Sequence, residues 1–445
     1  MRNIFLSLIL ATITLPLQSC SDDSMIMPEN PEKPIVVRPA NKLVIYEANP
    51  RFFDRTDCLK AIDNHLPEIK NMGANVVWLM PIYEPGKVKS VNSPYCIKDY
   101  QKVNPQYGTM TDLKTLVKHA HSLGLKVMLD WVANHTSWDH PWISSHKDWY
   151  MQDDEGNVIS PKEQNWNDVA DLNYESDELR TAMIDAMLYW VNEAYIDGFR
   201  CDYTDGVPHD FWTEAIARLR SVRPDLLMLS ESENDAYFAD GFDMIYGWKY
   251  ASRLSRLFLG KLTVAKFLQK SSEEYASVPT DKTVMRYIFN HDVADQNSAT
   301  QLYGSADALP AAYTLSAMLE GVPLIYSSME SRLKNTPLSF FQYTPLNWDA
   351  TMEQTYATIN SAYAATTDVR SGELRTYENE KTIVFTHNTP QHTLLVLVNI
   401  TNQPQTVKVP IACTGTSMQD MLQNQPMTMP AELELAAYGY AIYYQ

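Results

Sequence analysis

The chain has 445 residues, 45% of them hydrophobic and 20% charged, a globular balance with length enough for a large core and one or two smaller modules. Its 54 acidic residues against 36 basic ones leave a formal charge of −18. Such a surface repels nucleic acid and favours neutral or cationic partners, so no nucleic-acid partner is expected.

The first stretch in chain order does not belong to the fold. Arg2 gives a positive start, and a mostly apolar run over 4–17 is too short to span a bilayer, so residues 1–19 read as a signal peptide. Leu17-Gln18-Ser19-Cys20 resembles the bacterial lipoprotein processing box. That resemblance implies cleavage before Cys20, lipidation at Cys20, and an exported protein held on the outer membrane by an N-terminal lipid anchor. Residues 20–40, rich in Pro, Glu, Asn and Lys toward their end, read as a flexible tether. Cys58, Cys96, Cys201 and Cys413 match no zinc spacing and read as buried free thiols. A monomer is expected.

Beyond residue 41, strands and helices alternate. Short apolar or β-branched runs bounded by turns predict strands over 43–48, 75–80, 125–130, 196–202, 226–231, 242–245, 284–290 and 322–325. Between the first two, Leu59, Ile62, Leu66 and Ile69 share one helix face that ends at Gly73. A second helix carries Leu113, Leu116, Val117, Ala120 and Leu123, capped by Thr111 and closed by Gly124. Further helices are predicted over 177–194, 209–221, 262–275 and 308–319. This alternation predicts an α/β fold, a closed (β/α)8 TIM barrel over 41–134 and 177–370. Residues 135–176 are too many for a plain loop and predict a small subdomain inserted after strand 3. After a helix near 352–366, alternating runs over 382–386, 392–398, 405–409, 431–435 and 438–444 predict a C-terminal antiparallel β-sandwich domain over 371–445.

Several strand ends carry chemistry. Asp202, Glu231 and Asp292 finish three separate runs, with Arg200, His135 and His291 beside them. Loops after parallel strands meet at one face of a barrel. Cleaving an acetal between sugars needs one carboxyl to protonate the leaving oxygen and another to stabilise or attack the anomeric carbon, and a third negative group can hold the substrate. Arg200 and Asp202 are two apart, so on a strand both face the interior, where the cation keeps the carboxylate ionised. Cys201, between them, faces the helix layer. Glu233 shares the parity of Glu231, but the short spacing from the apolar run favours Glu231. Asp130 reads as a structural hydrogen-bond partner. Trp138, Trp142, Trp149 and Trp166 in the inserted segment are candidate sugar platforms.

These stretches resemble the conserved regions of the α-amylase family of retaining glycoside hydrolases. The matching residues are Asp130…Asn134-His135, Gly198-Phe199-Arg200-Cys201-Asp202, Leu229-Ser230-Glu231 and Asn290-His291-Asp292, supported by Ser93-Pro94-Tyr95, Asp171-Leu172-Asn173 and Gly321-Val322-Pro323. The resemblance implies that Asp202 is the nucleophile, Glu231 the general acid/base, and Asp292 the third carboxylate. It also implies that Arg200 holds Asp202 ionised, that His135 and His291 hydrogen-bond the sugar, and that Tyr95 stacks beneath it. The implied activity is cleavage of α-1,4-glucosidic bonds in starch or maltooligosaccharides, with no required cofactor. An α-glucosidase or glucan transferase on the same site, and a non-catalytic surface glycan-binding lipoprotein, are the rival readings.

Three departures from the family pattern matter. Pro94-Tyr95-Cys96 stands where the family has Gly-Tyr-Asp; chain-end-trimming members often use that Asp, so its absence points toward internal cleavage. Gly206 replaces a His whose carbonyl helps bind calcium in many members, which leaves Asn134 and Asp171 as candidate Ca2+ ligands. Ser327-Ser328-Met329-Glu330 follows the eighth strand where an aromatic and Gly are common, so an unusual substrate loop is expected there.

Overall fold

Eight parallel strands close on themselves: β1 (Ile45–Ala48), β2 (Val76–Leu79), β3 (Lys126–Val132), β4 (Gly198–Asp202), β5 (Leu227–Ser230), β6 (Met244–Tyr246), β7 (Thr283–Arg286) and β8 (Val322–Tyr326). Each pairs with its neighbour in sequence, and β8 returns to β1 with Ile45 opposite Leu324. This is the expected TIM barrel. The computed structural model describes residues 42–331, 337–346, 348, 351–377 and 379–445. The predicted signal peptide, Cys20 and the whole of the predicted tether lie outside the described residues. Among the described residues no helix is long and apolar enough to cross a membrane.

Strand alternation splits the core in two. Ile45, Trp78, Met128, Leu229, Met285 and Leu324 point inward and fill the barrel. Val77, Leu129, Phe199, Cys201 and Met228 point outward and pack under the helices. All four cysteines in the described residues are free and buried, as expected. Gly198 opens β4 because nothing larger fits: a Cβ there would sit 2.2 Å from the Leu227 carbonyl oxygen of β5. That close approach seats Arg200 and Asp202 in register beside the end of β5.

The helix expected to be capped by Thr111 spans Met110–Ser122, and its cap is Thr109. Thr109 Oγ1 accepts from the Asp112 N–H, and the Asp112 carboxylate accepts from the Thr109 N–H, a reciprocal capping box that outcompetes Thr111. The helix expected over 262–275 runs Val264–Ala276, and a separate helix, Trp248–Phe258, precedes it unforeseen. The strand expected to reach residue 290 ends at Arg286, because Asn290 turns to cap the short helix His291–Gln296. In the inserted segment, His135–Ser137 pairs antiparallel with Val169–Asp171.

The C-terminal part is an antiparallel sheet of β9 (Glu373–Tyr377), β10 (Thr382–Asn388), β11 (Thr393–Asn399), β13 (Ser417–Asp420), β14 (Gln425–Thr428) and β16 (Tyr440–Tyr444), faced by the pair β12 (Gln405–Lys408) and β15 (Glu432–Leu435). Val384, Leu395, Leu397, Val407 and Leu435 fill the space between them. Ile383, Phe385, Leu394 and Val396, on the other face, join the core of the barrel helices.

Candidate active site

Arg200 is the centre of the barrel mouth. It is fully buried on β4. One terminal nitrogen donates to both Asp130 Oδ1 and Asp202 Oδ1, each at 2.8 Å. The other lies 2.6 Å from Glu231 Oε1 as an ion pair, and Nε donates to Tyr246 Oη at 3.1 Å. A single guanidinium plane therefore fixes three carboxyl groups from the ends of β3, β4 and β5.

Burial pushes the Glu231 carboxyl well above the ordinary range. The Arg200 cation opposes that rise, and Asp202 and Asp292 add to it. Glu231 Oε2 accepts from the Tyr203 N–H at 2.6 Å. To aim that N–H, Tyr203 adopts φ +38, a left-handed backbone rare for a residue with a ring, immediately after Asp202. Glu233, the rival carboxyl, turns away: it accepts from the Lys249 N–H and pairs with the Lys249 ammonium at 3.2 Å.

Asp292 enters from the first turn of the short helix after β7 and is half-exposed. His291 Nε2 lies 3.3 Å from Asp292 Oδ1 and 2.8 Å from Tyr95 Oη. Tyr95 Oη also donates to Asp130 Oδ2 at 3.1 Å, and its ring lies nearly parallel to that of His291. Tyr95, His291 and Asp130 are thus one connected layer against Arg200. Burial lowers the His135 imidazole, so it is neutral near pH 7. Its ring meets Trp166, which in turn meets Tyr203. Of the four candidate platforms, Trp166 meets His135 and Tyr203, Trp142 and Trp149 pack on each other in the inserted segment, and Trp138 lies under Lys89.

Asn134 and Asp171 both adjoin His135: Asn134 Nδ2 lies 3.3 Å from His135 Nδ1, and Asp171 is the ladder partner of His135 in the pair His135–Ser137 and Val169–Asp171. A Cβ at Gly206 would meet Asn134 Oδ1 at 2.2 Å, so the small residue accommodates the amide. Burial pushes Asp171 up to about 6. Among the described residues no group of three or more His, Cys, Asp or Glu side chains is placed to hold a metal ion. Two side-chain oxygens fall short of the six to eight oxygens that calcium takes, so this donor set does not fit the ion and no chemistry is routed through it.

Three residues beside the site escaped the sequence reading. Glu47 on β1 is fully buried and bonds His291. Arg51, just after β1, is buried and ties loops together. Phe340, in the loop after β8, packs its ring against Tyr95 and His291. The signal for Glu47 was an acid at an inward position of an otherwise apolar run; Arg51 and Phe340 had none.

A parallel eight-stranded barrel with carboxyl groups gathered at its strand ends defines a barrel glycoside hydrolase. The chain belongs to the alpha-amylase family: the alpha amylase catalytic-domain model matches residues 50–392, and the maltogenic amylase C-terminal-domain model matches residues 373–442. It is a glycoside hydrolase acting on α-glucosidic bonds. It is 26% identical to alpha-amylase 3 of Dictyoglomus thermophilum over 71% of this chain and 69% of that protein. A cyclomaltodextrinase of Geobacillus thermopakistaniensis is 24% identical over 86% of this chain and 70% of that one. The crystal structure of an alpha-amylase from Lactobacillus plantarum superposes with a TM-score of 0.82 at 27% identity, covering 91% of this chain and 99% of the other.

Proposed function

We propose that this enzyme hydrolyses α-1,4-glucosidic bonds of starch-type glucans and maltooligosaccharides by double displacement, with retention of anomeric configuration. One observation carries the reading: the Arg200 guanidinium holds both Asp202 and Glu231, while burial raises the Glu231 carboxyl well above the ordinary range. Retaining hydrolysis needs two carboxyls about 5 Å apart in opposite protonation states. In the first step Glu231 gives its proton to the glycosidic oxygen, the bond from that oxygen to C1 breaks, and an Asp202 oxygen bonds to C1. In the second, the Glu231 carboxylate takes a proton from water, the water oxygen bonds to C1, and Asp202 is released.

Asp292 holds sugar hydroxyls and favours the cationic transition state. His135 and His291 hydrogen-bond the same sugar, and Tyr95 offers its ring as the floor. Relatives that include a cyclomaltodextrinase and a maltogenic alpha-amylase from Bacillus acidopullulyticus support maltooligosaccharides as substrates. The test is NMR of the first product from maltopentaose. An α-anomer is expected, and Asp202→Asn should abolish turnover while sugar binding persists. A β-anomer formed first, or an active Asp202→Asn enzyme, would overturn the reading.

Export belongs to the same proposal, with residues 1–19 as signal peptide and Cys20 lipidated at the outer membrane. Metabolic labelling with palmitate should mark the native chain and not Cys20→Ser. Label on both would remove Cys20 as the anchor.

A further inference from the structure

Arg51 is fully buried, yet among the described residues its hydrogen bonds go to a phenol and two main-chain carbonyls and to no carboxylate. Nε donates to Tyr107 Oη at 2.9 Å. One terminal nitrogen donates to the Asn92 carbonyl at 2.7 Å and to the Phe340 carbonyl at 2.9 Å. The Asn92 side-chain amide donates in turn to the Phe341 carbonyl. The main chain is laced as well, since the Thr344 N–H donates to the Arg51 carbonyl at 3.0 Å and the Leu346 N–H to Phe52 at 2.8 Å. The loops that follow β1, β2 and β8 are therefore sewn together at one guanidinium, which can bond several carbonyls in fixed directions where an ammonium cannot.

This seam continues toward the inserted segment, where the Lys87 N–H donates to the Asp139 carboxylate at 3.1 Å. On its inner side, the Phe340 ring lies 5.3 Å from His291 and 5.8 Å from Tyr95, edge-on to both. Around the ring of strands, β1 lies between β2 and β8, and β5, which leads into Glu231, lies directly opposite. A general acid stands on the leaving-group side of the bond it cleaves. The seam therefore stands on the other side, where the sugar that stays on the enzyme is held.

We infer that the Arg51–Asn92–Phe340 seam walls off that end of the site, so that the enzyme works from the non-reducing end of an α-glucan and releases short fragments. The inference rests on the hydrolase reading above. It reverses the expectation of internal cleavage drawn from Cys96: that thiol donates to the Asp168 carbonyl, and closure is made by other residues. Arg51 is a positioning residue, acting through the loops it ties.

The test uses maltoheptaose labelled at its reducing end, with the non-reducing glucose either free or capped by an ethylidene acetal across O4 and O6. The free substrate should be shortened stepwise, and the capped one should react about a hundredfold more slowly. Equal rates would overturn the wall while leaving the hydrolase reading intact; no cleavage of either would sink both. Asn92→Gly removes the amide tie at a position whose φ of +66 glycine accepts without strain. It should raise the capped-to-free rate ratio about tenfold, whereas a proportional loss of both rates would mark the seam as merely structural. Arg51→Lys should move the ratio in the same direction, and an unchanged ratio there would remove Arg51 from the wall.

Discussion

Glu47 and His291 meet inside the barrel as a buried pair, with Oε1 2.6 Å from Nδ1 and at most 2% of either side chain exposed. Burial alone pushes an imidazole down. Here Asp292 and Glu47 overcome it, and His291 rises to about 9 from its ordinary 6.5. A histidine raised in the native state contributes stability that is complete below about pH 6.5 and lost as pH rises through about 9. Removing the Glu47 anion returns His291 toward its ordinary value. Urea unfolding between pH 6.5 and 9 should therefore show native stability falling by on the order of a few kcal/mol, with Glu47→Gln much flatter across that window. Parallel curves would detach Glu47 from the protonation of His291.

Glu231→Gln keeps the side chain's shape and its acceptor for the Tyr203 N–H but removes the acidic proton. The expected loss on maltooligosaccharides is about 10²–10⁴-fold. On α-maltosyl fluoride, whose leaving group departs without protonation, the loss should be far smaller. Because burial raises Glu231, the native rate on maltooligosaccharides should fall as pH rises through that raised value, and the fluoride should lack that alkaline limb. Steady-state rates on both substrates check this. Equal damage on both would hand the acid role to another group.

Ser328 sits just past β8 at φ +110, a conformation that costs a side-chain-bearing residue about 1–3 kcal/mol. Its Oγ is buried with no hydrogen-bond partner among the described residues, and its N–H donates to Glu330 Oε2 at 3.0 Å, which holds the strained turn in place. Ser328→Gly relieves the strain and deletes the unpaired hydroxyl, at the expense of a looser unfolded chain worth about 0.5–1 kcal/mol. A net gain of about 1 kcal/mol is expected, read as a higher urea midpoint at unchanged slope. A lower midpoint would mean that the hydroxyl has a partner in solution.

The barrel was legible because its strands are buried on both faces and read as unbroken apolar runs, such as Val76-Val77-Trp78-Leu79. The carboxyls were legible because each ends such a run. What failed to show were elements whose identity is set by distant partners. Strands β9, β13 and β14 are short and partly polar, and only sheet pairing makes them strands. Helix Trp248–Phe258 was missed because it follows β6 after a single residue, Gly247, which offers no capping side chain to mark its start. Arg51 and Phe340 are 289 positions apart, and their bond exists only because the closing barrel brings β1 and β8 side by side.

Asp171 poses the last test. Its carboxyl is largely buried, and burial raises it to about 6, with only the Leu172 backbone bond and distant Lys162 opposing the rise. A bound divalent cation would reverse that balance, pulling the carboxyl down and stabilising the foot of the inserted segment. Among the described residues no metal-holding group of three His, Cys, Asp or Glu forms around Asp171, and independence of the ion is the expected outcome. Dialysis against EDTA should leave the melting temperature within about a degree, less than ~0.5 kcal/mol, and leave the rate on maltopentaose unchanged. Asp171→Asn, which removes a poorly compensated buried charge, should be neutral or mildly stabilising. A fall of several degrees in EDTA, restored by calcium and not by magnesium, would show that backbone carbonyls and water complete a site the side chains alone do not form.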